Sequence, residues 1–366
     1  LVLSGESIVA PPMNRRVGSF LLALGLIAAD VVRPSLPAGI PVFQFTLTAL
    51  AIAWVWRFWL ADLREGGERF VLLFLTAAAA WLYLRHPRRL DADGINYFVY
   101  LRSLLVDRDL NLANDYVLLG EAGHAANVLP IGAPLVWGLL LAPLYVLRSL
   151  GAMLLGSPLT ALEPAFVAGA CLVSILLGLA GLFLLYREFR PHMAPLAAGV
   201  AALLVWFGSP LRFYMRTLPS FAHAPEFFAA VLTLVLSRRL AETGGPKPAF
   251  LAGLACGLVY LIRSQDGLLL LTPAVFMLNA WLGHRSVARL MREGLSTLLG
   301  FLSLAWIQSA VWWSMFGAPF LVPHKVLHGE DFARPAAPKL LEMLFSDRGG
   351  LFATYPVTLV MILALP

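Results

Sequence analysis

Long apolar runs separated by brief polar turns set the pattern of this chain. Runs over 17–33, 40–60, 70–86, 163–186, 195–211, 221–238, 248–264, 267–284, 295–316 and 351–366 stand out. Each is roughly 16 to 24 residues, enough to cross about 30 Å of hydrocarbon as a helix. In lipid the backbone must satisfy its own hydrogen bonds, which leaves helices or closed barrels. No segment alternates in the way a barrel strand does. The expected fold class is therefore all-α: a polytopic membrane protein of about ten transmembrane helices.

One more apolar segment, "LPIGAPLVWGLLLAPLYVLRSLGAMLLG" (129–156), fixes the parity of everything after it. If it stays on one side and the N-terminus is cytoplasmic, the short inner connections hold Arg15, Arg16, Arg57, Arg64, Arg69, Arg187, Arg190, Arg238, Arg239, Lys247, Arg285, Arg289 and Arg292. That crowding is what the positive-inside rule requires. If the segment crosses, the later basic turns all become external. It is accordingly expected to be a re-entrant or surface helical hairpin, broken at Pro130, Pro134 and Pro143. Residues 87–162 then form an outer juxtamembrane helical loop and 317–350 a second outer loop. Residues 1–69 read as an N-terminal extension with its own transmembrane hairpin, ahead of a transmembrane domain over 70–366.

Composition agrees with this class. The 366 residues are 60% hydrophobic and 13% charged, with mean hydropathy +0.79. The net charge of +6 suits basic loops against lipid phosphates; no compact basic face with interleaved aromatics suggests nucleic acid. Two cysteines, Cys171 and Cys256, sit inside apolar runs, so neither a disulfide framework nor a thiolate metal site is expected. "MNRRVGSFLLALGL" from Met13 reads as a translation start with a retained signal anchor. The last apolar run, ending "MILALP", reads as a chain cut within a span.

Within this apolar background, "RRLDADGINYFVYLRS" (88–103) is unusual. Apolar and aromatic positions at Tyr97, Tyr100, Leu101, Leu104 and Leu105 predict a helix with one membrane-facing stripe. Asp91 and Asp93 precede it at the water boundary, beside Arg88 and Arg89. A carboxylate there could act as general base toward a hydroxyl. It could equally cap the helix, and D-x-D would also suit a divalent metal.

"DADGINYFVYLRSLLVDRDLNLANDY" followed by "NVLPIGAPLVWGLLLAP" resembles bacterial membrane glycosyltransferases of the GT-C superfamily, related to polyprenol-phosphate-mannose-dependent protein mannosyltransferases and to aminoarabinose transferases. The likeness continues through "FGSPLRFYMRTLPSFAHAPEFFAAVLTLVLSRR", "GLACGLVYLIRSQDGLLLL" and the loop around "FGAPFLVPHKVLHGEDF", and covers roughly residues 70–366. It implies inverting transfer of a sugar from a polyprenyl-phosphate donor to an acceptor hydroxyl on the outer face. An acid of the first outer loop is then the base: Asp93 by position, Asp91 as second choice. The partners it implies are the lipid-linked sugar and membrane lipid.

Other polar residues fall on the expected outer side. "LRFYMRTLPSFAHAPEFF" carries Arg216, His223 and Glu226, the last two one helical turn apart. They could line a cavity, pack in the bundle, or hold a metal. "LIRSQDG" brings Arg263, Gln265 and Asp266 to a span end, as phosphate or sugar contacts or as plain end-capping groups. Arg102, Tyr97, Lys325 and Arg348 complete the candidate substrate contacts, the arginines as partners of a leaving phosphate. Asn111, Asn114, Asp115 and Tyr116 could meet sugar hydroxyls. No cofactor follows, and a divalent metal stays open. Two alternatives stand beside the enzyme: a non-catalytic subunit of a larger membrane complex that keeps the fold, and a transporter, which would need two matching halves with broken spans and a mid-depth site.

Overall fold

The structure, a computed structural model, describes residues 90–119, 126–155, 163–320, 339–346 and 350–354, together with residues 74, 75, 77, 78, 81, 82 and 325. Among these every regular element is helical. In chain order α1 (Asp93–Arg102) runs into a π-helical turn (Ser103–Asp107), followed by α2 (Leu112–Leu118), α3 (Gly132–Leu155), α4 (Glu163–Phe189), α5 (Pro195–Phe207), α6 (Leu211–Thr217) and α7 (His223–Thr243). Then come α8 (Pro246–Ile262), a 3-10 segment (Ser264–Leu270), α9 (Leu271–His284), α10 (Val287–Phe316), α11 (Leu340–Phe345) and α12 (Leu351–Thr354). The extension over 1–69, and with it the spans expected at 17–33 and 40–60, lies outside the described residues, as does most of 351–366.

The chain divides into two compact units, residues 1–80 with 144–165 and residues 81–143 with 166–366. In the first, the described residues include the second half of α3 and the first residues of α4. Apart from the course of α3 itself, all that follows concerns the second.

Three helices among the described residues are long and apolar enough to cross a membrane: Ala165–Phe189, Ser264–Gly283 and Val287–Phe316. A fourth is the bent pair α5 and α6, which turn by 66° at Gly208–Ser209–Pro210. The spans expected at 221–238 and 248–264 form as helices too, α7 with charges at both ends and α8 with only 17 residues; of that expected at 70–86 only six residues are described, all helical. The charged start of α10 lies ahead of its apolar run. It is helical because the Ser286 side chain caps it, accepting from Arg289 N at 3.3 Å, and because Arg289 pairs with Glu293 at 2.9 Å.

The segment at 129–156 departs from expectation. It forms one 24-residue helix, α3, not a hairpin broken at its prolines. Pro130 precedes the helix and Pro134 sits in its first turn, where no N–H is needed. Pro143 lies inside and removes one hydrogen bond without ending the helix, as apolar surroundings often permit.

Small residues set the tightest crossing. A Cβ on Gly253 would collide with the Thr297 carbonyl, and one on Gly257 would come within 2.6 Å of the Phe301 carbonyl. This G-x-x-x-G face lets α8 and α10 touch backbone to backbone. Away from it, α9 presents an exposed apolar stripe at Leu271, Val275, Leu278 and Leu282, and α10 another at Leu295, Leu299, Leu302, Trp306 and Trp313. Stripes of this size in water would drive aggregation; they suit lipid.

The two ends of the bundle differ in chemistry. At one end Arg238 on α7 is held by Glu188 on α4 and by Glu242. Nearby, buried Glu293 accepts from Gly245 N at 2.6 Å, locking the turn between α7 and α8 to α10. The basic turns thus share one end. The other end carries the N-terminus of α7, the C-termini of α8 and α10, and α1.

Candidate functional site

α1 starts in an unusual way. Its N-cap is Ala92, with φ 44° and ψ −115°, a conformation L-residues seldom adopt. Such strain, on the order of 1–3 kcal/mol, persists only where the surroundings impose it. The turn is closed by Gly94 N donating to Asp91 O at 2.8 Å and Ile95 N to Ala92 O at 3.1 Å. The N-cap position therefore falls on a residue with no capping side chain, and Asp93 is the first helical residue, half-buried. Gly94 packs directly on Ser220, the buried serine just before α7; a Cβ there would collide with its hydroxyl.

That contact brings α1 to the start of α7. His223 and Glu226 lie in the first turn of α7, where the helix dipole favours a carboxylate. Their side chains meet, Nδ1 to Oε2, at 3.2 Å. The Tyr214 ring from α6 lies over the His223 ring with centroids 3.5 Å apart. Arg263 follows the last turn of α8 in extended conformation and turns its guanidinium into the same place. Its Nη1 reaches Glu226 Oε2 at 3.2 Å and His223 Nδ1 at 2.6 Å, and its Nε stands 4.0 Å from Asp266 Oδ2. With the Gln265 amide oriented to satisfy its neighbours, its oxygen accepts from Arg263 Nη2 at 2.6 Å and Nε at 2.8 Å.

Tyr97, one turn into α1, links the two groups. It is buried and stacks edge-on to Trp137 at 6.1 Å. Burial pushes its hydroxyl well above the usual tyrosine pKa; Arg263 opposes the shift, and Asp93 and Glu226 add to it. The phenol is thus a neutral group within electrostatic reach of Asp93, Glu226 and Arg263 together. Three segments far apart in sequence, around 93, 223 and 263, converge, and five of the sequence candidates besides Asp93 and Tyr97 meet around one arginine or its neighbours. Charged groups here are each about a quarter exposed. The assembly can accept from hydroxyls through its carboxylates, and donate to an oxygen through His223 or Tyr97.

The other candidates fall elsewhere. Arg102, at the end of α1, is held by Asp107 at 2.9 Å and by fully buried Asp115. Asn114 donates to Asp107 at 2.7 Å, and Tyr116 is buried with its hydroxyl donating to Asn96 at 2.6 Å. These residues fasten α2 onto α1. Arg216 is exposed and lies over the Trp81 ring, 5.6 Å from its centroid. Lys325 is helical and half-buried. Asp91 is half-buried beside the strained turn. Arg348 lies outside the described residues. Among the described residues no three His, Cys, Asp or Glu side chains group as metal ligands.

Some residues that shape the site carry no motif. Asn127, buried, donates to Asn96 O at 2.6 Å and accepts from Leu129 N at 2.9 Å. Ile131 N donates to Gln308 Oε1 on α10 at 2.9 Å. Gly132 lies against the backbone of Leu261 and Ile262, so any side chain there would displace the strand of chain leading into Arg263. The signal available in sequence was the polar Asn127 and Gln308 in apolar company, which is the mark of a buried hydrogen-bonding role. No protein-family model, curated protein or solved structure matches this chain.

Proposed function

We propose that the protein transfers a sugar from a polyprenyl-phosphate donor to an acceptor hydroxyl, with inversion, at the outer face of a bacterial inner membrane. One observation carries this reading: Asp93 from the strained turn, Tyr97, and the Glu226–His223–Arg263–Asp266 cluster gather at the end of the bundle opposite the basic turns. Asp93 is the general base, and no described ion pair occupies its carboxylate. Glu226 and Asp266 orient sugar hydroxyls, and Arg263 supplies positive charge toward the leaving phosphate. Arg102 has no part in this scheme, because its side chain, 14% exposed, fastens α2 to α1 through Asp107 and fully buried Asp115. The resemblance of residues 70–366 to GT-C glycosyltransferases points the same way.

The test is sugar transfer by membranes supplied with a panel of radiolabelled polyprenyl-phosphate sugars, comparing the native chain with Asp93→Asn. Transfer that disappears in the variant while the folded yield holds supports the enzyme and its base. Transfer that survives the substitution removes Asp93 from the mechanism and leaves Asp91 as base. No transfer from any donor removes the enzyme and leaves a subunit that keeps the fold for structural reasons.

A further inference from the structure

Gln308 and Trp312 stand one turn apart on α10, on the same face, and both are buried, at 0% and 4% exposure. Gln308 Oε1 accepts from Ile131 N at 2.9 Å, which fixes the amide orientation and aims Nε2 away from that bond. Among the described residues neither Gln308 Nε2 nor Trp312 Nε1 has a hydrogen-bond partner. Buried donors are almost always answered, so two unanswered ones a turn apart call for an acceptor. The chain around Ile131 says where they are. Ile131 N bonds Gln308, and its neighbour Gly132 packs on the backbone of Leu261 and Ile262, so the end of α8, two residues before Ser264, lies beside Gln308. The Ser264 hydroxyl is itself buried and unanswered among the described residues.

We propose that Gln308, Trp312 and Ser264 form a subsite, level with Arg263, for the oxyanion of a phosphoryl group. The chemistry divides cleanly. An amide N–H and an indole N–H can only donate, and phosphate oxygens only accept. Sugar hydroxyls do both, and the carboxylates of Glu226 and Asp266 offer them acceptors a few residues away. The subsite therefore takes the phosphate and the acidic cluster takes the sugar. That the phosphate arrives on a lipid rests on the function proposed above; the donor set by itself asks only for the phosphate.

The full chain in nanodiscs, titrated calorimetrically with farnesyl phosphate and separately with inorganic phosphate, tests this. Trp312→Phe keeps an aromatic ring and loses the N–H. Gln308→Glu keeps the acceptor for Ile131 and replaces the donor with a carboxylate. Affinity for farnesyl phosphate should fall about tenfold in the first, the loss expected for one hydrogen bond to a charged group, and further in the second. The ligand-free melting temperature of Trp312→Phe should stay near wild type, since the lost donor had no protein partner. If that variant misfolds, Gln308→Glu carries the comparison alone. Trp312-dependent binding of inorganic phosphate but not of farnesyl phosphate supports the subsite and counts against a lipid-linked donor. Equal affinity in wild type and variants overturns the subsite while leaving the transferase reading to its own assay. Failure of wild type to bind either probe overturns it as well.

Discussion

Replacing Arg102 with methionine separates two roles that the chemistry of this residue allows. Its guanidinium is 14% exposed and holds Asp115, whose side chain is 0% exposed, together with Asp107 at 22%. Methionine fills most of the volume and removes the charge. Asp107 can turn to water, but Asp115 cannot. Breaking a buried pair from one side costs about 3–5 kcal/mol, because the remaining charge has no counterpart. In the native chain burial already holds the Asp115 carboxyl above its usual value despite the Arg102 hydrogen bond. Without Arg102 that shift grows. A raised folded-state pKa means that the folded protein binds the proton more tightly. Its contribution is thus fully present below the unfolded carboxylate value of about 3.9 and is lost as pH rises through the folded value. Arg102→Met should therefore lie nearest to wild type in acid and furthest from it above neutrality. The double variant Arg102→Met/Asp115→Leu should recover most of the loss, since it leaves no buried charge unpaired. Unfolding by increasing SDS in mixed micelles, followed from about pH 4, near the unfolded carboxylate value, to about pH 8, measures all three. A stable Arg102→Met chain that no longer binds lipid phosphate would refute this account and return Arg102 to the ligand.

Two further outcomes follow from contacts already described. Gly253→Ala should destabilise by about 1–3 kcal/mol, because its methyl meets the Thr297 carbonyl and α8 must move off α10. Gly283→Ala, with nothing within 4 Å, should be neutral or up to about 1 kcal/mol stabilising; equal effects at both sites in the same SDS titration would contradict the packing. Glu226→Gln keeps the volume at α7 but removes the carboxylate that Arg263 and His223 share. Transfer from a lipid-phosphate donor should fall at least about tenfold with folding intact, and unchanged transfer would exclude Glu226 from the site.

The helices of the second unit were legible because their apolar runs are long and their turns are marked by Gly, Pro or basic residues. The segment 129–156 is the exception: charge parity and three prolines suggest a broken hairpin, and the chain forms a single helix. Position mattered more: Pro134 occupies a first turn, and Pro143 is tolerated within apolar surroundings. Of the site, pairs close in sequence were visible, such as His223 with Glu226 and Arg263 with Asp266. Their union with Asp93 and Tyr97 depends on Gly94 against Ser220 and on Gly132 against Leu261, two close approaches that no spacing rule reveals. Arg102, Asp115 and Tyr116 have the chemistry of ligand contacts but are tied to other protein side chains, Arg102 to Asp115 and Tyr116 to Asn96, because a single sequence does not say which polar side chains face each other.

Depth decides how such a cluster can exist in an apolar bundle. Gly178, near the middle of Ala165–Phe189, packs on Met215 and Ala224, so α4 passes the level of His223 about halfway along its length. From Gly178 to Glu188 is about 15 Å of helix, and from His223 to Arg238 about 22 Å. With the Arg238–Glu188 end at one interface, the cluster lies within a hydrocarbon layer of about 30 Å, recessed from its far side. A lone arginine at that depth would be costly, which is why Arg263 meets Glu226, His223, Gln265 and Asp266. A recessed site is also what a transporter needs, but transport requires the other end to open. There the Arg238 ion pairs and the Glu293 bond to Gly245 join α4, α7, α8 and α10. Bonds that tie four helices together at that end oppose the opening there that transport requires.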